Sequence, residues 1–152
     1  MPLHSIWVFA VLVGRSAAAG LPSLREQAEI RSDWRDARVR EFLPSLMEEN
    51  NVSHWVIASR EYNEDTVWRS LASPLSIQAR RRTVQLFSLN ATRDGIDEHE
   101  LVSFEPSLWN ELRDLLESEG NIALNIDSTF AFSDGLSVGE LEVLATIVAT
   151  RC

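Results

Sequence analysis

The 152-residue sequence, 45% hydrophobic and 24% charged, is typical of a globular chain long enough for one domain with its own core. Its formal net charge is −9, and all 14 basic residues are arginines. This charge argues against nucleic acid or an anionic membrane surface as the main partner. The single cysteine, Cys152, is the last residue, so an intrachain disulfide is excluded.

Residues 1–19 have the pattern of a secretory signal peptide. Residues 6–13 form a short apolar core, and three alanines ending at Ala19 supply the small-residue cleavage pattern. The core is too short to span a bilayer, which takes roughly 20 apolar residues. An arginine between the core and the cleavage site leaves open the alternative of a buried N-terminal strand or helix. Cleavage would leave one domain, residues 20–152, that is secreted or periplasmic.

Hydrophobic periodicity predicts alternating helices and strands along the rest of the chain. Apolar residues at three- and four-residue steps predict a helix over residues 24–50, in which Pro44 produces a kink or a restart. The apolar run 55–58 predicts a strand that is buried on both faces. The order of the elements predicts an α/β domain with a small mixed sheet covered by helices.

The later elements are predicted from shorter patterns, and they follow in chain order. They are a short helix at 66–71, a strand at 83–89, a polar turn at 90–100, a short strand at 101–104, and a helix that begins at Pro106 and is capped by Gly120. They continue with a strand at 121–126, a loop at 127–136 that buries Phe130 and Phe132, and a helix that begins with a capping box of Ser137 and Glu140.

A polar cluster directly follows the buried strand predicted at residues 55–58. Open α/β sheets place their binding crevices where such strands end, so this cluster is a candidate surface for a partner or for the rim of a substrate entrance. We expect Arg60 to offer a planar donor fork that the carboxylate of Glu64 or Asp65 holds. The alternative is an ordinary solvated loop. The candidate residues of this cluster are Arg60, Tyr62, Asn63, Glu64 and Asp65. Arg81 is a further candidate from the run of three arginines at 80–82, for which the alternative is a solvated entry to the next strand.

The sequence has no set of residues with the spacing of a metal or catalytic site. Beyond residues 1–19 the histidines are His54 and His99, and neither has a second histidine at helical or strand spacing. The acidic segment 97–100 is either a weak divalent-cation site or a solvated loop. No nucleophile elbow, phosphate-binding glycine loop or dinucleotide fingerprint occurs. We therefore predict no enzymatic activity and no cofactor for this chain by itself.

Two sequons for N-glycosylation fall between predicted elements. They begin at Asn51 and Asn90. A bulky sugar is tolerated at such positions, so both asparagines are candidate glycosylation sites if the exporting host glycosylates its secreted chains.

Three sequence blocks resemble the N-terminal domain of the creatinase/aminopeptidase P metallopeptidases. They are Ser-Arg-Glu-Tyr-Asn-Glu-Asp at 59–65, Ala-Arg-Arg-Arg-Thr at 79–83 and Phe-Ala-Phe-Ser-Asp-Gly-Leu-Ser at 130–137. Their order and rough spacing match, so the resemblance covers most of residues 24–148. Thr66 departs from the family pattern, which usually has proline there, and the segment 90–106 is shorter than in the family.

The resemblance implies an α/β accessory domain that takes part in a homodimer and shapes the substrate entrance of an Xaa-Pro peptidase. Catalysis in that family belongs to a following domain, whose two divalent metal ions are bound by Asp, His and Glu ligands. We expect this chain to be such a non-catalytic domain, as a truncated or stand-alone exported product, with a second copy or the missing catalytic domain as partner. The alternatives are a small exported binding protein that reuses the surface for another partner, and a free-standing hydrolase.

Overall fold

The computed structural model describes residues 20–90, 95–116 and 120–149, so the predicted signal peptide and Cys152 lie outside the described residues. The helices in these ranges are α1 (Leu24–Ala37), α2 (Leu43–Glu49), α3 (Trp68–Leu71), α4 (Ser107–Leu115) and α5 (Val138–Ala149). The strands are β1 (His54–Arg60), β2 (Arg82–Asn90), β3 (Gly95–Ser103) and β4 (Ile122–Leu124). A π-helical segment (Arg38–Phe42) joins α1 to α2. No helix in the described ranges is long and apolar enough to cross a membrane.

The four strands form one mixed sheet in the order β3-β2-β1-β4. Strand β2 pairs antiparallel with both β1 and β3, whereas β4 pairs parallel with β1. The register aligns Ala58, Val84 and Leu101 across three neighbouring strands, so these side chains share one face. The predicted α/β class with a mixed sheet and helices is confirmed. The closer likeness to the creatinase N-terminal domain stays a prediction.

Helices cover both faces of the sheet because the side chains of the central strands alternate. On one face, Val56 and Leu86 pack against α4 and α5, where Leu112 and Leu144 are buried. On the other face, Ile57 and Phe87 pack against α2 and α3. Strands β1 and β2 are therefore buried on both faces, which explains their continuous apolar runs.

The predicted helix over residues 24–50 is present, with its break before Pro44. Ser23 caps α1 through a capping box with Glu26, whose pKa is lowered because its carboxylate accepts hydrogen bonds from Ser23. The predicted apolar stripe is only partly correct. Val39, Leu43 and Met47 are buried, whereas the three other members of the stripe are exposed: Trp34, Phe42 and Leu46. The π-helical segment accounts for Phe42 and Leu46, because an i→i+5 turn rotates the side chains within it and after it. Trp34 precedes this segment.

Two local predictions about the later elements are wrong. Residues 95–100, predicted as part of a polar turn, belong to β3, because pairing with β2 stabilises a strand whose outer side chains are charged. Gly120 does not cap α4, which ends at Leu115. Gly120 has φ +115°, and a Cβ there would overlap the Ser53 side chain, so the glycine permits a close approach of two backbone segments.

Gln85 is fully buried on the sheet face that packs against α2 and α3, and its amide oxygen and nitrogen have no hydrogen-bond partner within the described residues. Replacing it by methionine is expected to raise the free energy of unfolding by about 1–2 kcal/mol, because a buried unsatisfied polar group costs about that much. Urea unfolding of Gln85→Met and of the exposed control Gln78→Met measures the effect. A stability loss in Gln85→Met would contradict this reading.

Candidate functional site

The loops at one end of the sheet converge and include all candidate partner-surface residues. Because β1 and β4 run parallel and β2 runs antiparallel to β1 and β3, the carboxyl ends of β1, β3 and β4 lie beside the start of β2. We call this region the loop end; it comprises residues 60–66, 79–82, 104–106 and 125–137.

A tight turn opens the loop end. The backbones of Arg60 and Asn63 exchange two hydrogen bonds, of 3.1 and 2.9 Å, and leave Tyr62 at the tip with φ 68° and 88% of its surface exposed. A left-handed conformation costs a non-glycine residue about 1–2 kcal/mol. A second left-handed residue, Arg81 at φ 57°, braces the turn, since its carbonyl accepts a 2.8 Å hydrogen bond from the amide of Glu61. Strained positions of this kind concentrate at functional sites.

Beneath the turn, Asp65 is buried and organises the loop through its carboxylate. The two oxygens accept hydrogen bonds from the side-chain amide of Asn125 at 3.0 and 2.9 Å, and one also accepts from the backbone of Val67 at 2.8 Å. The Asp65 amide donates to the Ser59 hydroxyl at 3.0 Å. The amide oxygen of Asn125 accepts from the Trp55 indole at 2.8 Å. This network joins the loop after β1 to the loop after β4.

A buried carboxylate on α5 binds two arginines of the sheet. Glu140 is 1% exposed, and its Oε1 accepts from the Nε groups of Arg60 and Arg82, the latter at 3.1 Å. Arg82 also lies over the Trp109 ring, with 5.0 Å between the guanidinium carbon and the ring centroid. The side chain of Arg60 is 47% exposed. The expectation that Glu64 or Asp65 would hold Arg60 is therefore wrong.

Two further expectations are corrected at this end of the sheet. The Glu140 side chain binds the arginines instead of closing a capping box with Ser137. Phe130 and Phe132, expected in the core, are 67% and 66% exposed. Since Asp65 is buried, its carboxylate supports the loop from inside and cannot contact a partner directly.

The outer surface of the loop end carries exposed rings. The guanidinium of Arg81 lies over Phe104, 5.6 Å from the ring centroid, and the Thr66 hydroxyl donates to the carbonyl of Phe132. With Tyr62 and Phe130, the exposed aromatic residues here number four. Asn63 is exposed and Glu64 is half-buried beside them.

The loop that carries two of these rings is fixed by Asp127. Its carboxylate accepts hydrogen bonds from the backbone amides of Phe130 at 2.8 Å and Thr129 at 2.6 Å. These two hydrogen bonds lower the pKa of Asp127, because they stabilise the charged form. The Asp127 carboxylate is therefore ionised at neutral pH and accepts the hydrogen bonds that hold the loop.

The two sequons differ in accessibility. Asn51 is exposed in a turn with φ 53°. Asn90 is half-buried at the end of β2, and its side-chain nitrogen donates to Asp97 at 2.6 Å. A sugar on Asn90 would displace or crowd this hydrogen bond, so Asn51 is the better acceptor of the two.

The histidines do not form a metal site with neighbouring acids in the part of the chain that is described. No group of three or more His, Cys, Asp or Glu side chains there has the arrangement needed to hold a metal ion. His54 is buried, with its Nδ1 2.8 Å from the Ser88 hydroxyl, and His99 is exposed on β3.

The three sequence blocks at 59–65, 79–83 and 130–137 meet at the loop end or directly beside it. The first, residues 59–65, contributes the turn and Asp65. The second, residues 79–83, contributes Arg81 and Arg82. The third, residues 130–137, contributes two exposed rings and the contact of Gly135 with Asp65. In comparisons with protein-family models, curated proteins and solved structures, no match to this chain is found.

Proposed function

We propose that this chain is a non-catalytic interaction domain of an exported Xaa-Pro peptidase-like protein, and that its loop end binds a second copy of the chain. The three sequence blocks support the family part of the proposal, since they come together around one surface. The geometry of that surface supports the binding part.

The observation that carries the binding role is the group of exposed aromatic side chains at the loop end. Aromatic residues and arginine are enriched in protein interfaces and supply much of their binding energy. Tyr62, Phe104, Phe130 and Phe132 lie there, and Arg81 stacks on one of them. A surface that offers both rings and guanidinium groups can complement its own copy across a two-fold axis.

The loops that carry these rings are held in place before any partner arrives. The Asp65 network anchors the loops after β1 and β4, and Glu140 anchors the end of β1 to α5. Binding to a fixed surface loses less conformational entropy than binding to a mobile one. The buried carboxylates of Asp65 and Glu140 are fully engaged in hydrogen bonds, which favours a supporting role for them over proton transfer.

Sedimentation velocity of the full chain over a range of concentrations tests this role. We expect concentration-dependent dimers, and we expect the double variant Tyr62→Ser/Phe104→Ser to weaken association by at least about tenfold, since two interface rings are lost. Both side chains are exposed, so the variant should fold normally.

The matched control removes a comparably exposed ring from outside the loop end. Phe42 lies in the π-helical segment, 68% exposed, and Phe42→Ser should leave association unchanged. A wild-type chain that stays monomeric at high concentration would contradict the proposal. Equal weakening by the control and by the double variant would contradict it as well.

A further inference from the structure

A second candidate binding site lies between α1 and the segment that follows α3, and it shares no residue with the loop end. It is a cavity of about 540 Å³, a volume in the range of small-molecule sites. No acidic residue lines it. The lining residues that carry the argument are Arg31, Trp34, Arg35, Arg38, Arg69 and Ser73.

Three of the four arginines are not neutralised. Arg31, Arg38 and Arg69 form no ion pair within the described residues, although Arg38 donates to the carbonyl of Ser70 at 3.1 Å. Arg31 and Arg35 lie on α1 and Arg38 is the first residue of the π-helical segment, and their spacing of four and three residues puts them on one helix face. In a chain with net charge −9, this cavity therefore concentrates positive charge.

Arg35 forms a fixed wall of the cavity. Its Nε donates to the carbonyl of Leu71 at 2.9 Å, and its other nitrogens pair with Glu98 and Asp36. These contacts tie α1 to α3 and β3, so the segments that carry the other three arginines are held next to each other.

The cavity is also lined by an indole ring that is not buried in the hydrophobic core. Trp34 is 61% exposed and lines the cavity together with the arginines and Ser73. Guanidinium groups bind phosphate oxygens through paired hydrogen bonds, and an indole face stacks on planar rings. We propose that this cavity binds a small phosphate monoester carried on a planar ring, independently of the role proposed for the loop end.

Isothermal titration calorimetry of the full chain with phenyl phosphate, inorganic phosphate and phenol tests the proposal. We expect phenyl phosphate to bind best, inorganic phosphate to bind more weakly, and phenol not to bind. The double variant Arg31→Ala/Arg69→Ala should weaken phenyl phosphate binding at least about tenfold, because two charge-assisted contacts are lost. Trp34→Ala should weaken phenyl phosphate alone.

The control is Arg40→Ala, which removes an exposed arginine from the neighbouring π-helical segment outside the cavity and should leave binding unchanged. All substituted side chains are exposed, and the melting temperature of each variant verifies folding. Absent binding of phenyl phosphate, or a loss in Arg40→Ala equal to that in the double variant, would overturn the site. Equal binding of phenyl phosphate and inorganic phosphate would overturn its ring specificity.

Discussion

Replacing Glu140 by glutamine is expected to lower the free energy of unfolding by about 3 kcal/mol, the low end of the cost of breaking a buried ion pair. The substitution keeps the shape of the side chain but leaves Arg60 and Arg82 adjacent without their shared negative charge. We expect the loss of stability to stay at the low end of that range because the Arg60 side chain is about half exposed and can be hydrated in the variant. Urea unfolding at neutral pH measures it.

The matched control is Glu142→Gln on the same helix, where the side chain is exposed and the change should stay within about 0.5 kcal/mol. Of the two arginines, Arg82→Met should cost more than Arg60→Met, because Arg82 is 18% exposed and also stacks on Trp109. Equal stabilities of Glu140→Gln and the wild type would show that the cluster does not hold α5 on the sheet.

Gly135→Ala is expected to destabilise the chain by about 2–4 kcal/mol, from overpacking and from weakened hydrogen bonds to a charged group. A Cβ built on Gly135 would lie 2.8 Å from Oδ1 of Asp65 and closer still to Oδ2. The carboxylate cannot move aside at low cost, because it is buried and bound by Asn125 and Val67. Thermal and urea unfolding measure the loss.

Gly139 provides the control, four residues further along the chain. A Cβ there would meet only Arg60 Nη2 at 3.9 Å, which is ordinary contact. Gly139→Ala should therefore stabilise the chain by about 0.5 kcal/mol, through the helix propensity of alanine in α5. Equal stabilities of Gly135→Ala and Gly139→Ala would contradict a close contact between Gly135 and the Asp65 carboxylate.

The sequence predicts the elements of this fold because their signals are local. The apolar run 55–58 marks β1, and the spacing of Leu108 and Leu112 marks α4. The sequence predicts too short a β3, because the outer residues of this strand are charged and only its pairing with β2 makes them a strand. The exposure of single side chains is also hard to predict, since nothing in the local sequence distinguishes the exposed Phe130 from a core ring.

The sequence predicts the polar cluster after β1 but not its internal contacts. Glu140 lies 80 residues from Arg60 in sequence, and its position after Ser137 locally favours a capping role. Asn125 lies 60 residues from Asp65, and no local sequence pattern indicates that it binds this carboxylate. The arginine spacing on α1 was present in the sequence and could have indicated the cavity beside α3.

Hydrogen–deuterium exchange of the wild-type chain, measured at dilute and at dimer-forming concentrations, shows which surface a second copy covers. We expect the higher concentration to slow exchange at residues 61–66, 104–106 and 127–133, while α1 and α3 exchange at unchanged rates. Slower exchange confined to α1 and α3, or no change at the loop end in a chain that has dimerised, would contradict the proposed role of the loop end as the dimer surface.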